Sequence, residues 1–531
     1  MLFCGGAAAL TLPQSRLQLL LLLGVSSCLG AILLGCGASA NEVAGAVAAT
    51  ANPQVASYTV HTNGEAAVTI SFGKTNAYGL RTGVTSIPAP GGTASIYVAG
   101  MQANTLYHMQ ATVEFADGRV VTDQDHSFTT SAYKSILLPV VTATTTPGQV
   151  PQPGIEIVNS INSPIMISAT DLSGNLIWSY DPGDVGVSAW QAPKLLPNGD
   201  FIALAATSSS QAQTTLPGPG DGNLVREFDL AGNTVKQITM GQLNSELAAN
   251  GYNLQLLVFS HDVTVLPNGH WLLLANTQKS VVLNGATTPT SVLGDVIVDL
   301  DTNMQPVWVW NEFDHLDVNR HPWNFPDWTH TNAVIYSKDD GNLLVSIRHQ
   351  NWIVKVDYED GAGNGNILWH LGEGGDFKLE GGTDPTDWSY AQHGISFASG
   401  YSAGAFPLAA MDNGDDRMYP GDTGATTCGT NGAPACYTSV PVYNIDEDTM
   451  TATIAFHQIM PANLYSAWGG NAEVLANGDV EYDLCSVAGL SSQVMEVTNQ
   501  PTPQTVWTLN VTGSNAYRAY RLPSLYPGVQ W

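Results

Sequence analysis

Two kinds of β-hairpin alternate along most of this chain, and that alternation restricts the fold more than any other feature. The first kind is a short strand ending in an acidic or amide residue, a polar turn and a second apolar strand. It recurs six times: ATDLSGNLIW at Asp171, EFDLAGNTVKQI at Asp229, IVDLDTNMQPVWVW at Asp299, KVDYEDGAGNGNILW at Asp357, VYNIDEDTMTATIAF at Asn444 and MEVTNQPTPQTVW at Glu496. Between these lie hairpins such as KLLPNGDFIALA, VTVLPNGHWLLLA, AVIYSKDDGNLLVSI and AEVLANGDVEYDL, with a less regular one after His393. Two hairpins per repeat are four strands, the content of one β-propeller blade, so six copies predict six blades over residues 150–531. The first copy lacks an obvious preceding hairpin, and AYRAYRL near the C-terminus is expected to complete its blade. A parallel β-helix is the rival, but its coils are far shorter than these spacings of roughly fifty to ninety residues.

The rest of the chain divides by composition. Residues 54–135 carry alternating strand patterns (SYTVHT, AAVTISF, ASIYVAG, then MQANTLYHMQATVEF) that predict a fibronectin-III-like β-sandwich, and the Ala/Gly/Ser/Thr-rich residues 37–53 read as a flexible linker. Residues 1–36 hold Arg16 and the apolar run LQLLLLLGVSSCLGAILLGC, which reads as an export signal. LLGC followed by Gly37 is similar to a bacterial lipobox, predicting acylation of Cys36; an uncleaved membrane anchor is the alternative. Either way the expected location is the periplasm or outer cell surface. In that oxidising setting Cys428 and Cys436, bracketing CGTNGAPAC, are expected to pair, leaving Cys485 buried and free. A formal charge of -28 excludes nucleic acid as a partner, because its phosphates would be repelled.

In so acidic a chain, the basic residues that recur at one repeat position stand out. Counting back from the Gly of the inner hairpin turn, Gln191 lies eight residues before Gly199, His261 eight before Gly269 and Gly470 eight before Gly478; His330 and His393 fall at nearly the same place in their repeats. Three consecutive repeats thus put a histidine at the start of the innermost strand, facing the axis. A hairpin symmetric about Asp339 makes His330 and Arg348 cross-strand neighbours, with Asn332 on the same face and His349 pointing away. His315, His321, His349, His370 and His457 follow no repeat and read as structural, as do the Asp-to-Trp hairpins. Trp328 and Tyr465 are candidates to stack on a substrate ring, although core packing is the commoner role.

Three imidazoles suit zinc, but a permanent guanidinium beside a divalent ion is repulsive, and no metal is predicted. The same set suits an oxyanion. Arg offers a planar fork of donors, and imidazole can attack as a nucleophile or donate as a cation. The residues therefore point to an exported enzyme acting on a sulfate or phosphate ester. A quinoprotein-like propeller dehydrogenase is one alternative, requiring carboxylates at the axis; a non-catalytic surface propeller binding anions or glycans is the other.

The blocks HDVTVLPNGHWLLLA, DWTHTNAVIYSKDDGNLLVSIRHQNWIVKVD, QHG and MDNGDDR, with YRAYRL near the end, resemble bacterial aryl-sulfate sulfotransferases in the same order. The resemblance implies a small β-sandwich before a six-bladed propeller, a periplasmic homodimer, and a disulfide before the late blades. It also implies ping-pong transfer of a sulfuryl group from an aryl sulfate donor to a phenolic acceptor through a sulfohistidine, with no cofactor or nucleotide sulfate. On this sequence the nucleophile of the family's QH motif falls on His393. The residues holding the sulfuryl oxygens fall on His261, His330 and Arg348, with Asn332 as a further substrate contact. The QH block, QHGISFASGYSAGAFPLAAMDNG, is longer than the family's usual spacing.

Overall fold

The computed structural model describes residues 43–134, 137–162, 164–183, 187–207, 223–398, 404–420 and 426–531. The export segment, Cys36 and the start of the linker lie outside them. Val43–Trp531 clusters as one compact unit. The regular structure of its described residues is almost all strand, with one α-helix, Met240–Ala249, started by a capping box between Thr239 and Gln242. No helix among them is long and apolar enough to cross a membrane.

The N-terminal part is two antiparallel sheets over one core. Ala44–Ala49, Ala56–Thr62 and Gly92–Val98 form the first; Leu80–Arg81, Ala66–Gly73, Leu106–Phe115 and Val120–Thr122 run through the second. Strict alternation sends Tyr58, Val60, Val68, Ile70, Phe72, Met109, Ala111 and Val113 inward and their neighbours outward. One expectation is corrected here. Residues 44–49, read as flexible linker, form a strand in register with Ala56–Thr62, because AGAVAA carries nothing larger than Val and can add along that edge.

Six sheets follow, each with four antiparallel strands built from the two alternating hairpin types. In five of them the innermost strand comes first in sequence: Val187–Leu195, Leu256–Val265, Thr331–Tyr336, His393–Phe397 and Ala472–Val474. In the remaining sheet Ala516–Leu522, from the far end of the chain, takes that place by pairing with Ile155–Ser160, the role expected of AYRAYRL. Each of these inner strands touches the next, and Ala516–Leu522 touches both Val187–Leu195 and Val480–Leu484 of the last sheet. Two sheets gain a fifth strand the repeat does not announce: Lys378–Glu380 pairs parallel to Thr451–Ile459, and Val140–Thr145 pairs with Thr505–Thr512.

The tryptophans ending the Asp-type hairpins have a common task. Trp178 Nε1 donates to Leu230 O (2.9 Å), Trp310 Nε1 to Gly365 O (2.8 Å), Trp369 Nε1 to Glu447 Oε1 (2.8 Å) and Trp507 Nε1 to Leu172 O (2.8 Å). Each acceptor lies in the turn of the adjoining sheet, so one buried indole both fills the space between sheets and ties them. Removing such an indole costs about 3–5 kcal/mol. The Trp507 bond joins the last sheet to the first. At the same junction Arg521 is enclosed by Glu156, Glu481 and Glu496 at 2.9, 2.7 and 2.9 Å, all buried. Cys428 and Cys436 are disulfide-bonded, and Cys485 is buried and free.

Candidate active site

The inner strands do not run smoothly into the centre. The His261 strand breaks register between Phe259 and Val263, the Thr331 strand between Thr331 and Ala333, and the His393 strand between His393 and Ser396. At two of these breaks the histidine itself has a left-handed backbone, φ 61° for His261 and 52° for His330. A non-glycine residue held there costs of order 1–3 kcal/mol, and the bulge re-aims its side chain. His393 is followed by Gly394 at φ 29°, where a Cβ would meet Asn471 Cα at 2.5 Å and Gly470 O at 2.6 Å, so only glycine fits beside it. Register breaks and positive-φ backbone thus lie at or beside all three histidines, His330 just before its strand and His393 still paired with Met411.

They meet around one cavity of about 500 Å³ lined by His261, His330, His393 and Arg348, with Gln191, Ser260, Asn162, Asn515 and Tyr517, and Ile161, Trp468 and Leu490 as apolar walls. Ring centroids are 4.7 Å apart for His261–His330, 6.4 Å for His261–His393 and 6.3 Å for His330–His393. The Tyr517 ring lies 6.0 Å from His261 and 6.2 Å from His393, its hydroxyl pushed up to about 12 chiefly by burial and so retaining its proton.

The hydrogen bonds behind the cavity fix atoms as well as positions. Asn413 Nδ2 donates to Ser466 O (2.9 Å) and Gly469 O (3.1 Å), so its Oδ1 must accept from His393 Nδ1 (2.6 Å). His393 therefore carries its proton on Nδ1 and its lone pair on Nε2. His330 Nδ1 lies 2.6 Å from Asp327 Oδ2. Arg348 is held from three sides. Nη2 donates to Asp415 Oδ2 at 2.7 Å, Nη1 to His349 Nε2, and the guanidinium carbon sits 4.7 Å from the Trp323 ring centroid. Its Nε is buried and makes no hydrogen bond among the described residues.

Burial, then the neighbouring positive and imidazole groups, holds His261, His330 and His393 well below the ordinary imidazole range: for His261 burial first and His330 next, for His330 and His393 burial first and Arg348 next. All three are neutral at neutral pH. Asp415 is raised by burial against the pull of Arg348, and Asp416 is pushed up to about 7 by burial and Asp415.

The four residues singled out by the repeat count thus line one cavity. Thr331–Ile347 is the one ladder pair in the Asp339-centred register; His330 and Arg348 lie just beyond it, His330 before its strand and Arg348 at the start of a 3₁₀ turn. Asn332 does not share their face, because the bulge at that step flips it: Nδ2 donates to Gln392 O (2.7 Å), its carbonyl accepts from Arg518, and it lies off the cavity lining. His349, read as structural and pointing away, packs against His330 (4.5 Å between centroids) and stacks on Trp323 (4.3 Å) because the chain leaves the strand in a 3₁₀ turn at Arg348–Gln350. Trp328 is fully buried and donates to Arg320 O; Trp468 stands at the cavity instead. Asp327, Asn413 and Asp415 were missed, although DWTH and MDNGDDR contain them.

Asp327, His330 and His349 also form a group that could ligate a metal. The fit is poor. Asp327 Oδ2 and His330 Nδ1 already satisfy each other, His349 Nδ1 donates to Asp327 O (2.8 Å), and Arg348 lies against His349.

An all-β chain that turns neutral imidazoles and a braced guanidinium into one pocket has the equipment of an enzyme for an oxyanion ester. The family model described as Arylsulfotransferase (ASST) matches residues 140–521, and the chain belongs to that family of sulfotransferases. No curated protein matches it. Among solved structures it is similar to one assigned as a 6-phosphogluconolactonase from Bacteroides uniformis (8% identity, TM-score 0.37, 70% of this chain and 100% of that one). Others are dihydro-heme d1 dehydrogenase NirN (13%, 0.33, 72% and 80%) and NanB (8%, 0.35, 88% and 84%). Scores this low carry no argument about fold or function.

Proposed function

We propose that this chain is a six-bladed β-propeller preceded by a fibronectin-III-like sandwich, and that it moves a sulfuryl group from an aryl sulfate to a phenol through a sulfohistidine at His393. The supporting observation is the Asn413–His393 hydrogen bond, which leaves a neutral Nε2 lone pair at the cavity. In the first half-reaction Nε2 attacks sulfur, the S–O(aryl) bond breaks, and its electron pair leaves on the phenolate. Arg348 stabilises charge on the sulfuryl oxygens, joined by His261 and His330 in their donor-oriented or protonated forms, each such contact worth roughly 2–4 kcal/mol if preorganised. In the second half-reaction the acceptor oxygen takes the sulfuryl group and its proton passes to a cavity base.

Trp468, Ile161 and Leu490 give the aryl ring an apolar wall. Asn332 supports the site from behind by joining the His330 strand to Gln392. The donor set of imidazoles and guanidinium disfavours a quinone-and-calcium dehydrogenase, which needs carboxylates at that place. From the lipobox at Cys36 and the resemblance set out above, the proposal extends to an exported lipoprotein anchored to a membrane and working as a periplasmic homodimer.

The test is the purified full chain with p-nitrophenyl sulfate, with and without phenol. Phenol-dependent nitrophenolate release, a sulfated intermediate by intact mass, and loss of both in His393→Asn are expected. Release indifferent to phenol means a hydrolase, and no release with any aryl sulfate leaves a binding protein.

A further inference from the structure

The repeat position that holds His261, His330 and His393 holds Gln191 in the sheet before theirs, and the chemistry above leaves Gln191 without a task. We infer that Gln191 is a further catalytic residue: its carboxamide N–H donates to the bridging aryl oxygen, on which negative charge gathers as the sulfuryl group moves to or from His393. The inference rests on the sulfohistidine reading above and deepens it.

Gln191 reaches the cavity by the same local departure as the histidines. Its strand loses register between Gln191 and Lys194, and Ala192 beside it, fully buried, has a left-handed backbone at φ 46°. Gln191 lines the cavity and is 8% exposed. Its amide makes no hydrogen bond among the described residues and can turn to a ligand. The other amides of the lining are committed: Asn162 Nδ2 donates to Asn515 Oδ1 at 2.7 Å, and Asn515 Nδ2 to Cys485 O at 2.9 Å.

The order of the inner strands decides which substrate oxygen Gln191 meets. Val187–Leu195 touches Leu256–Val265, which touches Thr331–Tyr336, which touches His393–Phe397. In the other direction it touches Ala516–Leu522, which touches the last sheet, whose Ala472–Val474 touches His393–Phe397. The Gln191 strand is three steps from the His393 strand either way, so Gln191 faces His393 across the cavity. Its two flanking strands carry Tyr517 and His261, with rings 6.2 and 6.4 Å from His393. In a displacement at sulfur, as in phosphoryl transfer, the entering and leaving atoms lie roughly in line. With His393 Nε2 on one side of the sulfur, the aryl oxygen lies on the side of Gln191.

An amide suits that oxygen. It donates at any pH and, being neither acid nor base here, leaves proton transfer to another group. In the first half-reaction His393 Nε2 bonds to sulfur, the S–O(aryl) bond breaks with its electron pair on oxygen, and the Gln191 N–H holds that oxygen without giving up its proton. In the second, the acceptor oxygen takes the same place and bonds to sulfur. The S–Nε2 bond breaks, its pair returns to His393, and the phenolic proton goes to the cavity base.

Gln191→Met removes the donor at nearly constant volume. The assay is kcat/KM of the first half-reaction with p-nitrophenyl, phenyl and p-methoxyphenyl sulfate, read by rapid mixing. A loss of about 10²-fold is expected with phenyl sulfate, the size of one lost oxyanion donor, and of only about tenfold with p-nitrophenyl sulfate, whose leaving charge spreads into the nitro group. Gln191→Asn keeps the amide one methylene short and should show the same trend at smaller amplitude, giving the readout even where the Met variant does not fold. The sulfated intermediate should still form in both variants by intact mass. A loss equal across the three esters, as a displaced strand would give, or no loss with phenyl sulfate, would overturn the assignment while the intermediate persists. Absence of a sulfated intermediate in the unaltered protein would overturn the sulfohistidine reading itself, and this assignment with it.

Discussion

Glu156→Gln should make the protein more resistant to unfolding as pH rises, although it removes a salt-bridge partner. Glu156, Glu481 and Glu496 converge on the single guanidinium of Arg521 where the first and last sheets meet. One cation cannot offset three carboxylates removed from water, so burial dominates over the attraction of Arg521 and pushes the Glu156 carboxyl up to about 7. An unfolded glutamate titrates near about 4.3. Between those values the folded protein holds more protons than the unfolded chain, so stability present below the unfolded value is lost as pH rises through about 7. Each extra proton costs about 1.4 kcal/mol per pH unit, or about 3 kcal/mol from pH 5 to pH 8, where the folded carboxyl has largely ionised. Glutamine cannot ionise, so the variant escapes that loss.

The assay is guanidinium unfolding followed by tryptophan fluorescence on both proteins from pH 5 to pH 8. Asp200, Glu312 and Asp416 are also pushed up, to about 6, about 7 and about 7, but they are common to both proteins and cancel in the difference; Glu481 and Asp483 do not, because burial and then the Glu156 charge raise them, and their relief in the variant acts in the same direction. The stability of the variant minus that of the parent should climb by about 3 kcal/mol between pH 5 and pH 8, flattening towards the top of that range. A difference that stays flat with pH, whatever its sign, would show that Glu156 is ionised throughout and refute the reasoning.

Arg348→Lys should lower kcat/KM for p-nitrophenyl sulfate by about 30- to 1000-fold, the equivalent of roughly 2–4 kcal/mol, because a point charge cannot keep the contacts to Asp415 and His349 while presenting a donor to the sulfuryl oxygens; near-normal kcat/KM would remove the fork from the mechanism. The rate of the first half-reaction should show no inflection at the ordinary imidazole value near about 6.5. The three imidazoles are held well below it by burial, and their neutral forms persist into more acidic solution; a stopped-flow profile that halves near pH 6.5 would contradict this.

What was legible in the sequence is what the repeat controls. A turn glycine such as Gly269 sets the phase of its hairpin, and counting eight back from it reaches His261; counts of eleven and seven put His330 and His393 at nearly the same place. What was not legible depends on departures from the ladder. Strict alternation puts Asn332 on the face of His330, but a bulge of one residue at Thr331 reverses it. His349 is aimed outward by the same alternation, yet Arg348–Gln350 is a turn, so neighbouring residues reach the same site. Asp327 and Asn413 lie outside strands, where no period applies, and their roles become visible only through the imidazole each one touches. The strand Ala44–Ala49 escaped for a different reason: small residues without bulky apolar partners have the composition of a tether and acquire an edge only when a sheet is beside them.

The electrostatics of the cavity explain why an acidic protein can still handle an anion. The chain carries a formal charge of -28, and Arg348 is the one permanent cation among the residues lining the cavity, already facing Asp415. Attraction through solvent therefore contributes little, since exposed charges are screened within about 8–10 Å. The work falls to preorganised donors at short range, and burial makes them effective because little water competes for the same oxygens. The same burial keeps His393 unprotonated, and only the unprotonated ring has a lone pair to offer sulfur. One physical cause, removal of the site from water, thus supplies both a strong donor environment for the ester and a neutral nucleophile beside it. A second arginine in place of His261 would strengthen the first effect, but it could neither accept a proton nor leave room for the His330 ring 4.7 Å away.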